Sequence, residues 1–472
     1  RLNVDFFDTF HIYENAKTLG FRHPHLSVQR PLLISLMNIP LAWLDYSKDL
    51  PGILFRGSHW IAAMVTSLFL GVAYLIFRMS FTRLWAVFGV LLLALNPMVI
   101  HYAVFAKEDM PAALLVALSF YFFLWGSPRA LFIAGFFAAL AMLMRYNLIP
   151  LLFPVFFLGS LASPREQRAT RCFALLLLPI TLFMLVPTIV YPLIGRAPLA
   201  QSLGTFVREL FMQFENHKLV YQGPLSNYGF LLNCFSSVLL LAATGLLFKQ
   251  RPKHFFFHLT WLVVFFIGQT YVMFGKEVRY LIPFFIPILF LAVAGAKNLC
   301  DFPARRRWLP ALLLLALTLP YLRLGVRELY RAKDPFYSQG VAKKAAEYAV
   351  RLAGDSGRII WVGNYYPSFP KDYFFHENDQ FAYIFHIHAH VIEFFARKPV
   401  GVLKGGEVYI SPNYQQVDLP GTEKLLKPGD VVVASLAPPH TQTMNLPDYL
   451  PPLFVQKVKS VNPLTWQEVG QF

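Results

Sequence analysis

Carboxylates and cations stand together in four short polar stretches of this sequence. Asp5 and Asp8 lie near its start, Lys107, Glu108 and Asp109 form a turn, Arg145 sits between two apolar runs, and Lys276, Glu277 and Arg279 come just ahead of Tyr280. A carboxylate can take a proton from an attacking hydroxyl while cations hold an anionic leaving group such as a phosphate. Group transfer is the chemistry that combination serves. Glu108 and Asp109 alone could be helix-end charges, since the N-terminal end of a helix favours anions. Four groups mixing both signs are harder to explain as anchors, because an anchor needs no acid beside a base.

Long apolar runs must position these groups. Of 472 residues, 56% are hydrophobic and 14% charged, where an ordinary soluble domain is charged at about a quarter of its positions. A run of about 20 apolar residues crosses a hydrocarbon layer of about 30 Å. The runs at 57–77, 84–104, 110–125, 130–144, 147–161, 172–194, 229–248, 255–274, 280–296 and 308–324 predict about ten membrane-crossing helices. The formal charge of +16 raises the question of nucleic acid. Its Lys and Arg are interleaved with the apolar runs, with no nucleic-acid module behind them, so that partner is excluded.

Basic residues collect in cytoplasmic loops. Arg78 and Arg83, Arg129, the cluster Arg165, Arg168 and Arg171, the group Lys249, Arg251 and Lys253, and Lys297 with Arg305 to Arg307 fall on one side if the runs alternate. Arg129 and the Arg165 cluster share that side only if 130–161 crosses twice, which makes it a hairpin turning at Arg145. The remaining polar segments then face the extracytoplasmic side: residues 1–55, the turns at 107–109, 145–147 and 275–279, the loop 195–228 and the portion 326–472. Ionisable groups at such a membrane face are costly and mark sites or pathways. The sequence begins with Arg and polar residues, and a further membrane helix is expected upstream.

Residues 326–472 change character. An amphipathic stretch at 339–353 and short β-branched runs at 358–362 and 430–434, punctuated by Pro and Gly, predict a small extracytoplasmic α/β domain. The three cysteines, Cys172, Cys234 and Cys300, all precede it, so disulfides are no part of its fold. His386, His388 and His390 would share one face of an extended strand. They could bind zinc, but spacing supplies no fourth ligand, and a strand edge explains them as well. His217, in the 195–228 loop, reads either as a solvated histidine or as a phosphate contact. No nucleotide fingerprint is present; a divalent metal is the candidate cofactor.

Several of these segments resemble the GT-C superfamily of integral membrane glycosyltransferases that use polyprenyl-phosphate sugars. The run from Asp8 to Gly20 is similar to the family's first loop, and Gln29-Arg-Pro-Leu-Leu33 to the Pro-rich start of its next helix. Lys107-Glu-Asp-Met-Pro111 resembles the second acidic turn, and Leu143-Met-Arg-Tyr146 the Arg-containing turn. Gly275-Lys-Glu-Val-Arg-Tyr-Leu-Ile-Pro283 is similar both to the His-Lys-Glu-x-Arg-Phe run of lipid-linked mannosyltransferases and to the Arg-Tyr-x-x-Pro run of the protein-mannosyltransferase and aminoarabinose-transferase branch. The family's Asp-Glu pair is Asp8-Thr9 here, which leaves Asp8 and Asp5 both open as the base.

The resemblance implies a transmembrane GT-C-like catalytic domain over 1–325 and a soluble domain over 326–472. It implies inverting sugar transfer from a polyprenyl-phosphate donor, within the lipid bilayer, to an extracytoplasmic glycolipid, glycan or protein. Asp8 or Asp5 would act as base with Glu108 and Asp109 close by. Lys107, Arg145, His217, Lys276, Glu277, Arg279 and Tyr280 would hold the donor. The rival is a transporter or flippase of a lipid-linked anion, which would share the cations but need no base.

Overall fold

The structure is a computed structural model. It describes residues 16, 32–47, 53–103, 108–161, 165–193, 198–218, 235, 237–247, 251–272, 278–301, 308–332, 340–355, 357–362, 396–398, 400–404, 407–410, 417–418, 426–435, 453–461 and 464–471. Contacts divide the chain into two units, one ending at Tyr330 and the other resuming at Arg331.

The first unit is a bundle of apolar helices. Among the described residues, Gly57–Arg78, Glu166–Leu193 and Leu281–Asp301 are by themselves long and apolar enough to cross a membrane, and six shorter apolar helices accompany them. Helix α1 (Leu32–Ser47) forms inside the portion read as a polar loop. Ile34, Asn38, Ala42 and Asp45 are its buried positions, a spacing of three or four that lays one face against α2 (Ile53–Arg78).

The run read as one span at 84–104 is broken into α3 (Arg83–Ala94) and α4 (Pro97–Tyr102). Pro97 has no N–H to give the Leu93 carbonyl, which takes the Asn96 N–H at 3.2 Å instead. That leaves the Leu92 carbonyl without its helical donor, and the Tyr321 hydroxyl of α14 (Trp308–Ala332) supplies one. The Asn96 side chain accepts from Met98 N at 2.9 Å and restarts the helix.

Helices α5 (Asp109–Trp125), α6 (Pro128–Met144) and α7 (Ile149–Leu161) run back and forth. Gly126, at a φ of 77°, and the Ser127 cap turn the chain after α5. At the far end, Arg145 takes an extended backbone (φ −157°, ψ 103°) and ends α6, and a 3₁₀ turn over Tyr146–Leu148 leads into α7. Arg145 meets Asp109 at the start of α5, whereas Gly159, late in α7, packs against the Phe123 ring late in α5. Those two contacts lie at opposite ends of α5, so 130–161 is a hairpin.

Helix α8 (Arg165–Cys172) continues through a π segment (Phe173–Leu177) into α9 (Leu178–Leu193), starting earlier than the apolar run because the charged first turns are still helical. Then come α10 (Leu199–Lys218), α11 (Val238–Leu247) and α12 (Phe255–Ile267), which a π turn over Gly268–Val272 extends. A 3₁₀ turn (Val278–Phe284) opens α13 (Phe285–Asp301). Nearly every side chain of α13 is buried, as a helix apolar on all sides requires.

Helix α13 packs along α11 with no room between the backbones. A Cβ on Gly295 would run into the Leu241 carbonyl oxygen, and one on Gly245 into that of Leu291. Small residues permit such close crossings where lipid gives helices no hydrophobic reason to associate.

In the second unit, α15 (Gly340–Ala353) packs on a seven-stranded sheet of order β4-β3-β2-β1-β5-β6-β7. The strands are β1 Ile359–Val362, β2 Val400–Lys404, β3 Glu407–Ile410, β4 Val417–Asp418, β5 Val431–Ser435, β6 Leu453–Val461 and β7 Leu464–Gln471. Strand β1 pairs in parallel with β2 and β5, and the outer strands pair antiparallel. The face of α15 carrying Ala345, Ala346, Ala349 and Ala353 is buried. His386, His388 and His390 lie outside the described residues.

The α11–α13 crossing gives a direct test. Gly295→Leu should destabilise the bundle by about 1–3 kcal/mol or more, the usual cost of overpacking, read as earlier thermal unfolding in detergent. Gly71→Leu, where a Cβ meets nothing within 4 Å, should leave the unfolding temperature close to the parent's.

Candidate functional site

The hairpin turn brings the second and third polar stretches together. Asp109 opens α5, where the helix dipole favours a carboxylate. Glu108 precedes it and accepts the Ala112 N–H at 2.9 Å through its carbonyl. Arg145 donates from Nη1 to Asp109 Oδ1. The Asp109 side chain is fully buried and that of Arg145 is 9% exposed, and Glu108 is buried as well. An acid pair and a guanidinium thus share one enclosed corner of a helical bundle.

Arg145 is aimed by its backbone and by the residue after it. Its N–H caps α6, bonding the Ala141 and Met142 carbonyls at 2.9 and 3.2 Å, and its carbonyl accepts from Leu148 N at 3.1 Å. Tyr146 is buried edge-on against Phe183 of α9 and Phe206 of α10, with ring centroids 5.8 and 5.9 Å away. Phe206 also packs on Phe183 at 5.2 Å and on Tyr191 at 6.3 Å. Rings from α9 and α10 therefore fix the turn that carries the guanidinium. Helix α10, which the sequence reading leaves as the loop 195–228, is docked there by Phe206.

The 3₁₀ turn Val278–Phe284, whose backbone includes Arg279 and Tyr280, packs against α5, α4, α12 and α13. It therefore lies against the helix that Asp109 opens. His217 is on the last turn of α10. Asp5, Asp8, Lys107, Lys276 and Glu277 lie outside the described residues.

Sequence reading passed over several buried polar groups. Asp45 and Ser58 are buried in α1 and α2, and Gln269 and Thr270 in the π turn after α12. Gly268 sets that turn against Leu151 of α7. The signals were present as a lone acid in the run Leu41-Ala-Trp-Leu-Asp45 and as Gly268-Gln-Thr270 closing an apolar helix, but hydropathy outweighs single polar residues. No group of three or more His, Cys, Asp or Glu fit for a metal occurs among the described residues. Of the expected carboxylates, the two described are Glu108 and Asp109, and Asp109 is engaged by Arg145.

Residues 49–191, the stretch containing this hairpin, match the family described as dolichyl-phosphate-mannose-protein mannosyltransferase. No curated protein matches the chain by sequence. Among solved structures, the chain is similar to ArnT from Cupriavidus metallidurans bound to undecaprenyl phosphate, at a TM-score of 0.58 and 14% identity over 91% of this chain and 88% of that one. It is also similar to the oligosaccharyltransferase AglB from Archaeoglobus fulgidus, in complex with an inhibitory peptide and a dolichol-phosphate, at 0.53 and 12% over 91% of this chain. The chain spans 65% of that protein's length. An apo oligosaccharyltransferase structure from the same organism matches at 0.55 and 12%, over 83% of this chain and 60% of that one. The fold is that of the GT-C membrane glycosyltransferases.

The buried pair makes a stability prediction. Asp109→Ala leaves the Arg145 guanidinium, which cannot deprotonate, enclosed without its carboxylate; losing one partner of a buried pair costs about 3–5 kcal/mol. The double variant Asp109→Leu with Arg145→Met should recover most of that loss. Thermal unfolding of the purified variants in detergent measures both.

Proposed function

We propose that this protein transfers a sugar from a polyprenyl-phosphate donor to an acceptor hydroxyl on the extracytoplasmic side of a membrane. The observation that carries the reading is the buried Asp109–Arg145 pair beside Glu108, at the head of a helical hairpin in a GT-C fold. ArnT and AglB have been solved with undecaprenyl phosphate and dolichol-phosphate, respectively. A lipid phosphate is accordingly the donor class this reading assigns here.

The acceptor oxygen attacks the anomeric carbon, forming the new glycosidic bond as the bond from that carbon to the phosphate oxygen breaks. The acceptor's proton passes to a carboxylate, and the polyprenyl phosphate departs with the electron pair. Asp8, with Asp5 as the alternative, is assigned as the base. Arg279 and Lys276, on and before the turn packed against α5, take the phosphate together with Lys107. Glu277 orients these cations, and Tyr280 and His217 complete the donor's surroundings. Arg145, held by Asp109, supplies fixed positive charge at the same level, and Glu108 positions the acceptor. Preorganised charge of this kind stabilises a developing phosphate anion without reorganising during the reaction.

Two variants test the roles. Asp8→Asn keeps the shape of the side chain and removes the base, so transfer from a defined polyprenyl-phosphate sugar should fall by about 10² to 10⁴ with unfolding unchanged. Full activity there with an inactive Asp5→Asn moves the role to Asp5, and full activity in both removes this loop from the chemistry. Arg279→Lys keeps the charge but loses the two-pronged geometry that grips phosphate. It should bind the donor more weakly, seen as a smaller stabilisation by polyprenyl phosphate in thermal unfolding. Unchanged donor binding and turnover would rule out this turn as the phosphate site.

A further inference from the structure

The second unit holds a cationic pocket where the adjacent strands β1 and β5 begin. Arg358 and Asp430 immediately precede Ile359 and Val431, which pair in register, so the two side chains face each other across neighbouring strand starts. Arg358 donates from Nε to Asp430 Oδ1 at 2.9 Å and from Nη2 to Oδ2 at 2.6 Å, and the Lys427 backbone N–H adds a bond to Oδ2 at 2.7 Å. The carboxylate is buried, while the Arg358 side chain is 40% exposed. Three donors on one buried acid hold the partly exposed guanidinium in place.

Beside the guanidinium lies an open cavity of about 340 Å³, lined by Arg358, Lys427, Asp430 and Lys457 together with Ala353, Gly357 and the Pro428-Gly429 turn. Gly429, at a φ of 94°, leaves open space where a Cβ would stand. The lining thus holds three cations against one carboxylate, and that carboxylate is already committed to Arg358 and the Lys427 backbone. Neither the Lys427 nor the Lys457 ammonium has a carboxylate partner among the described residues. Structural ion pairing accounts for Arg358 and Asp430, but not for two further lysines converging on the same hollow.

We infer that this pocket of the second unit binds a phosphate-class oxyanion, gripped by Arg358 and the two lysines. A planar guanidinium fixed by an acid and flanked by mobile ammonium groups suits a tetrahedral dianion, which accepts several charge-assisted hydrogen bonds at once. The ligand is either a free phosphate or the phosphate of a larger headgroup, and both present the same oxygens.

The test uses the full chain in nanodiscs of zwitterionic lipid, with isothermal calorimetry against inorganic phosphate and, separately, glycerol phosphate as a headgroup mimic. Saturable binding of at least one probe is expected, and preference between them assigns the source. Lys427→Gln and Lys457→Gln should each weaken binding about tenfold, which is about 1.4 kcal/mol and within the range of one charge-assisted contact. Lys344→Gln, the same charge change at an exposed position of α15 outside the pocket, should leave binding unaltered. Arg358 is kept intact because its loss strands a buried acid. No saturable binding of either probe, or equal weakening by Lys344→Gln, would overturn the assignment.

Discussion

An arginine enclosed among apolar helices has to be met by an acid, and the contact between Arg145 and Asp109 is the constraint around which the helical hairpin is built. A guanidinium does not shed its charge, so the alternative to pairing is an uncompensated cation in a poorly polarisable interior. Reaching Asp109 requires that α6 end at Arg145 and that the chain turn within three residues. It also requires that the start of α5 lie at the same level as that turn. The 3₁₀ residues Tyr146–Leu148 make the turn, and the Tyr146, Phe183 and Phe206 rings hold it from α9 and α10. Packing and electrostatics thus specify the same geometry, which is the usual mark of a preorganised site.

Irregular backbone follows the same corner. A bilayer tolerates non-helical peptide groups only where protein or an internal cavity covers them. The 3₁₀ turn at Tyr146–Leu148 packs between α6 and α7, the π turn at Gly268–Val272 against α7, and the 3₁₀ turn at Val278–Phe284 against α5, α4, α12 and α13. Each interruption leads into or follows a helix that is otherwise regular, and each is covered by a neighbour. The break at Asn96-Pro97 is satisfied differently, by a tyrosine hydroxyl from α14 replacing the donor that proline removed. Close approach by α14 is what makes that bond available, since Gly325 sits directly under the Leu95 carbonyl.

Much of the bundle was legible because lipid imposes length and sign. Placing Arg129 and the Arg165 cluster on one side required 130–161 to fold back on itself, and the contacts at Arg145 and Gly159 show that hairpin. The short β-branched runs at 358–362 and 430–434 became β1 and β5, the parallel centre of the sheet, where both faces are covered and sequence is continuously apolar. Strands β6 and β7 were not legible, because the adjacent polar pairs Gln456-Lys457 and Lys459-Ser460 in β6 and Gln467-Glu468 in β7 interrupt the alternation that marks a strand. Helix α1 was lost among charged neighbours, its apolar face visible only once α2 is in place. The Asp109–Arg145 partnership was beyond reach for a different reason. Hydropathy assigned both residues to one membrane level but not to each other, since the approach depends on how α5 and α6 cross.

Two of the buried carboxylates, Asp109 and Asp430, put one kind of ion pair to opposite uses. Asp109 and Arg145 are both withdrawn from solvent, and a pair buried on both sides contributes shape more than net stability. Asp430 is buried but Arg358 is not, and the acid holds the guanidinium in its charged form more strongly, through their hydrogen bonds and charge attraction, which outweigh partial burial. Burying the acid and leaving the base half in water keeps the cost of desolvation on one partner while the other remains available. The first arrangement fixes the shape of the hairpin corner; the second sets a fixed cation at the edge of the hollow.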